Sequence, residues 1–274
     1  MKAIITITLI GYFGVTAIHA QSLRYPAALP YTSLSAYSNS QSDPFSFTFN
    51  QAALASVKNI SVGIYGERRF LLSATAAYRL ATVFPSRMGN FGLKLDYAGF
   101  KNFNETTLGL AYGRSLGKTV DLGIQFNYYG YRVPAYGNAN AINFEVGAIF
   151  HFTGKLNGGI HVYNPIGGKL GKAGNEKLAA NYTAGLGYDA SPHFFVTGVV
   201  IKEEDRPVNV VCGIQYQFAR QFFFRGGVIS ESGSAFAGVG AGWNNIRLDL
   251  SVSYHPQLGF SPGIFMVAGF GKKG

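Results

Sequence analysis

The feature that most constrains the fold is a strict alternation of residue types from about residue 60 to the C-terminus. Runs of roughly ten residues alternate apolar with small or polar side chains, and a turn closes each run. In the run 119–133, one face carries Val120, Leu122 and Ile124, and the other carries Asp121 and Gln125. This pattern is typical of a strand whose two faces meet different surroundings. The question is whether the apolar rows face inward or outward.

Composition favours the outward orientation. Charged residues make up 13% of the chain and aromatic residues 15%, whereas soluble domains usually carry about 25% charged residues. A soluble sandwich of this length would lack polar surface. Turn signals divide 60–274 into fourteen candidate strands, an even number that suits a closed bacterial barrel, and twelve is the alternative count. We therefore predict an all-β fold, a transmembrane antiparallel β-barrel of about 14 strands.

The connections between the candidate strands predict which end of the barrel faces which side. Short connections at 116–118, 154–155, 191–192 and 244–245 alternate with longer ones, among them 101–105 and 165–177. Outer-membrane barrels have short periplasmic turns and longer outer loops. The short set is therefore expected on the periplasmic side. The pattern also predicts one strand over 71–84.

The first 59 residues do not alternate and divide into two parts. Residues 1–20 have a positive start, an apolar stretch and a small residue at the end, which predicts a cleaved signal peptide. A membrane-anchoring helix is the weaker alternative, because the apolar run is shorter than the roughly 20 residues that span a bilayer. We call residues 21–59 the N-terminal segment and expect it to enter the lumen of the barrel at 60–274 as a hatch, because a barrel of this size is too wide for wall side chains to fill. A disordered periplasmic tail is the alternative.

One stretch of the N-terminal segment resembles a known family. Asp43, Pro44, Asn50, Gln51 and Ala52 lie in the sequence DPFSFTFNQAALA just before the first strand, and the stretch is similar to the Asn-Pro-Ala segment of the FadL-like superfamily. Gln51 stands where that family has proline. With the blocks LGLAYG and HVYNP, the likeness is closest to the PorV/PorQ branch associated with type IX secretion in Bacteroidota. The resemblance implies fourteen strands and an N-terminal hatch.

Several charges fall on the face that is predicted to line the lumen, where a charge needs water or an opposite partner. We expect them to form interior ion pairs that fasten the hatch to the wall. The candidates are Lys94, Asp96, Asp121, Glu145, Arg225, Arg247 and Asp249.

Other clusters carry weaker signals. The lysines of the 165–177 loop, Lys169, Lys172 and Lys177, are expected to neutralise lipopolysaccharide phosphates at the outer surface. The sequence contains no motif that pairs a nucleophile with a base, and no cluster with metal-ligand spacing. We therefore expect no enzyme activity, cofactor or metal. The formal net charge is +10, but the basic residues are scattered and an export signal argues against nucleic acid as a partner. Cys212, the single cysteine, is expected as a small apolar residue on an outward row.

The resemblance implies two functions for an integral protein of the bacterial outer membrane. The first is a non-enzymatic accessory of type IX protein secretion that binds secretion-system proteins. The alternative is a FadL-type channel for the uptake of hydrophobic small molecules. Outer-membrane lipid and lipopolysaccharide are the expected surroundings in both cases.

Overall fold

The chain folds into one closed barrel. The computed structural model describes residues 29–133, 137–167, 169–170 and 176–271. Fourteen strands pair antiparallel in sequence order, and the first pairs with the last. They are β1 (Ile60–Arg68), β2 (Ala76–Phe84), β3 (Asn90–Phe100), β4 (Phe103–Leu116), β5 (Val120–Val133), β6 (Gly137–His151), β7 (Leu156–Tyr163), β10 (Asn181–Ser191), β11 (Phe194–Glu203), β12 (Val208–Gln217), β13 (Phe222–Ile229), β14 (Ser234–Trp243), β15 (Ile246–His255) and β16 (Gly259–Phe270). Two short strands, β8 (Lys169–Leu170) and β9 (Glu176–Lys177), form a separate hairpin in the connection between β7 and β10.

The predicted barrel of 14 strands is confirmed, and two boundaries are corrected. The strand predicted over 71–84 begins at Ala76, because residues 69–75 form two 3₁₀ turns in which Phe70 and Leu71 have positive φ. The loop predicted at 101–105 is a two-residue turn, because pairing between β3 and β4 continues to Phe100 and Phe103. The connection between β2 and β3 has five residues, 85–89, although it lies at the end predicted to carry the short turns. The difference in length between the connections of the two ends is therefore smaller than predicted.

The apolar rows face outward, as the composition predicted. In β15, Ile246, Leu248 and Leu250 are exposed, whereas Asp249 between them is fully buried. Leu250 pairs with Val239 on β14 and with Ile264 on β16, so the apolar positions of adjacent strands join into a continuous outer belt. Hydrocarbon is the solvent in which such a belt is stable.

Exposed aromatic side chains border this belt at both ends of the barrel. At the end where the chain enters β1 they are Phe84, Phe91, Phe152, Tyr188, Tyr216, Phe222, Trp243 and Phe270. At the opposite end they are Tyr78, Phe100, Tyr182, Tyr254 and Phe260. Aromatic girdles of this kind mark the two membrane–water interfaces of outer-membrane barrels.

The described part of the N-terminal segment lies inside the barrel. It consists of one short helix, α1 (Leu29–Ser33), and 3₁₀ turns at Leu34–Tyr37, Ser46–Thr48 and Gln51–Ser56. Its aromatic side chains are buried and, with inward-facing side chains of the wall, form the hydrophobic core of the molecule. No helix in the described part of the chain is long and apolar enough to cross a membrane.

Inward-facing glycines let the wall approach the N-terminal segment closely. Gly159 on β7 and Gly185 on β10 are paired in register and face the ring of Tyr37. A Cβ atom at either position would lie 2.3 Å from a carbon of that ring. The barrel and the segment therefore fit each other only because these positions carry no side chain.

We predict that Gly185→Ala displaces the N-terminal segment, because overpacking of this kind costs roughly 1 to 3 kcal/mol. Protease should then cleave the segment faster in the folded barrel. Gly198→Ala on β11 is the matched control, because a Cβ at Gly198 meets nothing within 4 Å. Equal cleavage rates in the two variants would contradict the close fit.

Candidate functional site

An apolar cavity of about 200 Å³ lies between the N-terminal segment and the wall. Its floor is formed by Leu34 and Phe49 of the segment. Its apolar walls come from β11 to β14 and include Val199, Val211 and Phe236. Val199 and Val211 are paired across β11 and β12 and both point inward. This side of the lumen is therefore suited to an apolar guest.

Charged residues at the tips of two hairpins form the rim of the apolar cavity. Arg206, between β11 and β12, lies 3.8 Å from Glu203 and 3.9 Å from Glu231, measured between the charged atoms. Arg206 is 44% exposed, and ion pairs at this exposure contribute at most about 1 kcal/mol. These two ion pairs therefore add little to the stability of the rim.

A second cavity, of about 100 Å³, lies between the N-terminal segment and another part of the wall. Polar and charged side chains of β2 to β7 line it, among them Arg79, Lys94, Asp96, Thr107, Glu145 and His161. Phe49, Asn181 and Ile201 line both cavities, so the two lie side by side. We call the first the apolar cavity and the second, whose lining includes several buried charged residues, the polar cavity.

Glu145 has the largest set of polar partners described in the lining of the polar cavity. One carboxylate oxygen accepts hydrogen bonds from Gln125 at 3.0 Å and Asn127 at 2.7 Å, and lies 3.5 Å from the Lys94 ammonium. The other accepts from Gln51 of the N-terminal segment at 2.6 Å and lies 2.9 Å from His161 Nε2. A buried carboxylate with this many partners is stable, since each partner offsets part of its desolvation. Gln51 thereby joins the segment to the wall.

Asp96 is paired with a residue that the sequence analysis missed. The Arg79 guanidinium donates to both Asp96 oxygens, at 2.6 and 2.9 Å, and to Thr48 of the N-terminal segment at 3.1 Å. Arg79 and Asp96 are direct neighbours in the register of β2 and β3. The inward phase of β2, which Ala77, Ala81 and Val83 share, could have identified Arg79.

Asp43 of the N-terminal segment joins two arginines of the wall. Its carboxylate lies 3.2 Å from both the Arg225 and the Arg247 guanidinium groups. Arg247 also donates to both oxygens of Asp249, at 3.0 and 2.9 Å. Arg225 and Asp249 are fully buried. In such a cluster each charge depends on the others, because loss of one leaves its partners buried and uncompensated.

Tyr31 adds a further link between the N-terminal segment and this cluster. Its hydroxyl group donates to Asp249 at 3.0 Å. Burial raises the pKa of Tyr31 well above its ordinary value, so the phenol stays protonated and remains a donor. The Arg225 guanidinium lies over the same ring, 5.7 Å from its centroid.

The remaining lumen candidate, Asp121, is paired within the wall. Its carboxylate lies 2.9 Å from His151 Nε2, and the other ring nitrogen lies 2.8 Å from Asn157. Of the seven predicted lumen charges, Glu145, Arg225, Arg247 and Asp249 bond to the N-terminal segment, and Lys94, Asp96 and Asp121 have their ion pairs with wall residues.

The other residues of the predicted hatch motif are buried in the same region. Asn50 donates to the carbonyl oxygens of Ala148 and Ile160 on β6 and β7, and its own oxygen caps the following 3₁₀ turn at Ala52. Pro44 is buried beside Asp43. The sequence analysis missed Asp189 at the end of β10, which accepts hydrogen bonds from Ser38, Asn39 and Ser40. The alternation of β10 places Asp189 on the inward face and could have found it.

The lysines predicted at the outer surface are only partly covered by the structure. Lys169 and Lys177 are backbone partners in the register of the β8–β9 hairpin. Lys172 and the predicted signal peptide at 1–20 lie outside the described residues. Among the residues that the structure describes, no group of three or more His, Cys, Asp or Glu side chains could hold a metal ion.

The fold is that of known hydrocarbon channels. The CymD monoaromatic hydrocarbon channel superposes with a TM-score of 0.64 at 12% identity, over 87% of this chain and 99% of that one. The Pseudomonas putida toluene transporter TodX gives 0.60 at 10% identity, over 86% and 96%. A Pseudomonas aeruginosa FadL homologue gives 0.54 at 11%, over 82% and 92%.

No protein-family model matches the sequence, and the search of curated proteins found no match. At these identities the structural likeness establishes the fold alone. The chain is a closed barrel of fourteen strands with the fold of FadL-like outer-membrane proteins. The likeness to the PorV/PorQ branch stays a prediction from the sequence.

We predict that Asp43→Asn loosens the N-terminal segment, because it removes the charge that Arg225 and Arg247 share. Breaking a buried ion pair from one side costs roughly 3 to 5 kcal/mol. Conductance across planar bilayers should rise several-fold over the wild-type value. Asp121→Asn is the control, since Asp121 is ion-paired within the wall and its conductance should match wild type. A wild-type conductance for Asp43→Asn would show that the pair does not hold the segment.

Proposed function

We propose that this protein is a FadL-type channel that takes up small hydrophobic molecules across the bacterial outer membrane. The observation that carries the proposal is the apolar cavity over the N-terminal segment, which would be a costly feature in the water-filled lumen of a general porin. The neighbouring structures described as hydrocarbon and toluene transporters support the same reading.

The volume of the apolar cavity suggests the size of the guest. An engineered apolar cavity of about 150 Å³ in another protein binds benzene, and the cavity here is about 200 Å³. A compound with one ring would therefore fill it. Burial of its surface would stabilise the complex by about 25 cal/mol per Å².

The N-terminal segment would act as the hatch of this channel. It occupies the lumen and is held by Asp43, Tyr31, Asn50 and Gln51. A guest would reach the apolar cavity past the Arg206 rim, which lies at the end opposite the start of β1. We place that end at the cell exterior, as the connections predict. Further passage would require a movement of the hatch or of the wall beside it.

This function requires no chemistry on the guest. We propose that the protein is not an enzyme and uses no cofactor, metal or nucleic acid. The proposed location is integral in the outer membrane after removal of residues 1–20, with the lysines of the 165–177 loop, Lys169, Lys172 and Lys177, near lipopolysaccharide. The accessory role in type IX secretion rests on the sequence resemblance and stays a prediction.

The proposal is tested by filling the cavity. Val199 and Val200 are neighbours on β11, but Val199 points into the cavity and Val200 points toward lipid. In lipid nanodiscs, the wild type and Val200→Trp should show saturable binding of radiolabelled toluene in equilibrium dialysis, and Val199→Trp should lose it. Toluene also partitions into the nanodisc lipid, but this uptake is linear in concentration and equal in all samples. It can therefore be subtracted from the total to give the saturable binding.

Two results would contradict the channel function. One is the absence of saturable binding in the wild type. The other is undiminished binding in Val199→Trp, which would place the guest outside the cavity. Co-purification of secretion-system proteins with the wild type, together with either result, would favour the accessory role.

A further inference from the structure

The apolar cavity does not stand alone. Three residues that line it, Phe49, Asn181 and Ile201, also line the polar cavity of about 100 Å³. A pure hydrocarbon would fill the first cavity and leave the second to water. A molecule with an apolar body and a polar head would fill both, and its head would meet hydrogen-bonding groups.

A negatively charged head does not fit the polar cavity. Its lining carries two cations, Arg79 and Lys94, and three carboxylates, Asp96, Glu105 and Glu145. Arg79 already binds both oxygens of Asp96, and Lys94 lies beside Glu145. An anionic head would compete with Asp96 and Glu145 for these two cations and would face a surplus of negative charge. Nearby carboxylates disfavour the charged form of an acidic head group.

A positively charged head fits no better. Both oxygens of Asp96 are bound by Arg79, and the Glu145 oxygens are surrounded by Gln51, Gln125, Asn127, Lys94 and His161. Glu105, the third carboxylate of the lining, has a partner as well. An ammonium group would therefore have to leave water without gaining an uncommitted carboxylate. Burying a charge without a partner is costly.

A neutral hydroxyl group meets neither difficulty. The hydroxyl group of Thr107 on β4 belongs to the lining and can donate and accept a hydrogen bond. The hydroxyl group of Thr183 on β10 donates to Asn181 at 3.4 Å and can still accept one. The cavity has room for a head of one or two heavy atoms, since one water molecule occupies about 30 Å³ in the liquid.

We propose that the lumen selects uncharged amphipathic ring compounds, with the ring in the apolar cavity and a hydroxyl-bearing head in the polar cavity. This inference rests on the proposed function and narrows its substrate class. In this proposal the polar cavity binds the head group of the guest, in addition to the contacts that Glu145 makes with the hatch.

The test compares four probes of one shape: toluene, benzyl alcohol, benzoate and benzylammonium. Saturable binding is measured by equilibrium dialysis in nanodiscs and expressed relative to the partition of each probe into the lipid. Benzyl alcohol should bind about tenfold more tightly than toluene on this scale, as expected for one additional hydrogen bond in a dry site. Benzoate and benzylammonium should bind more weakly than benzyl alcohol.

Two variants assign the effect to the two cavities. Thr107→Val removes a hydroxyl group from the polar cavity and should bring the benzyl alcohol affinity toward that of toluene. Val211→Thr places a hydroxyl group in the apolar cavity. It should lower the affinities for toluene and benzyl alcohol by the same factor.

Each contrary outcome has its own meaning. Equal binding of toluene and benzyl alcohol, or an unchanged ratio in Thr107→Val, would overturn the head-group assignment and leave the hydrophobic channel intact. Tightest binding of benzoate or benzylammonium would overturn the assignment of an uncharged head. No saturable binding of any probe would overturn both this inference and the proposed function.

Discussion

The structure depends on one constraint: the outer surface of the barrel must be apolar, and every backbone polar group must be paired within the wall. Hydrocarbon offers no hydrogen bonds, so a sheet can be stable there only when it closes on itself. The pairing of β1 with β16 along Ile60 to Glu67 achieves this closure. Because alternate residues face opposite sides, the outward apolar rows leave the polar residues no place but the lumen.

The polar and charged wall residues that must point into the lumen explain how the N-terminal segment is held. Wall residues such as Glu145, Asp189, Arg225 and Arg247 would be unstable in an empty dry lumen, and the segment supplies partners for them through Gln51, Ser38 and Asp43. Conversely, the segment is too short and irregular to form a core without the wall. The two parts therefore stabilise each other. The linings of the two cavities differ because some strands carry valine and phenylalanine inward and others carry charged residues.

Alternation made the barrel, its strand number and the outward belt predictable, because a period of two leaves little freedom in which face a residue occupies. The turns were less predictable: at Phe70 and Leu71 the backbone takes positive φ that no residue type signalled. The lumen charges could be placed on the inward face, but their partners could not. Whether Asp121 meets His151 or the N-terminal segment depends on register between strands and on the path of a segment without periodicity. The two cavities arise from that path as well.

The orientation of the faces can be tested most directly at Cys212, the single cysteine, which is exposed on β12 next to the inward-facing Val211. A nitroxide label at Cys212 in lipid bilayers should collide more often with molecular oxygen, which concentrates in hydrocarbon, than with a water-soluble nickel complex. A label at position 211, in a Cys212→Ser, Val211→Cys variant, should be shielded from lipid. Preferential collision of the Cys212 label with the nickel complex would mean that the apolar rows do not face the membrane.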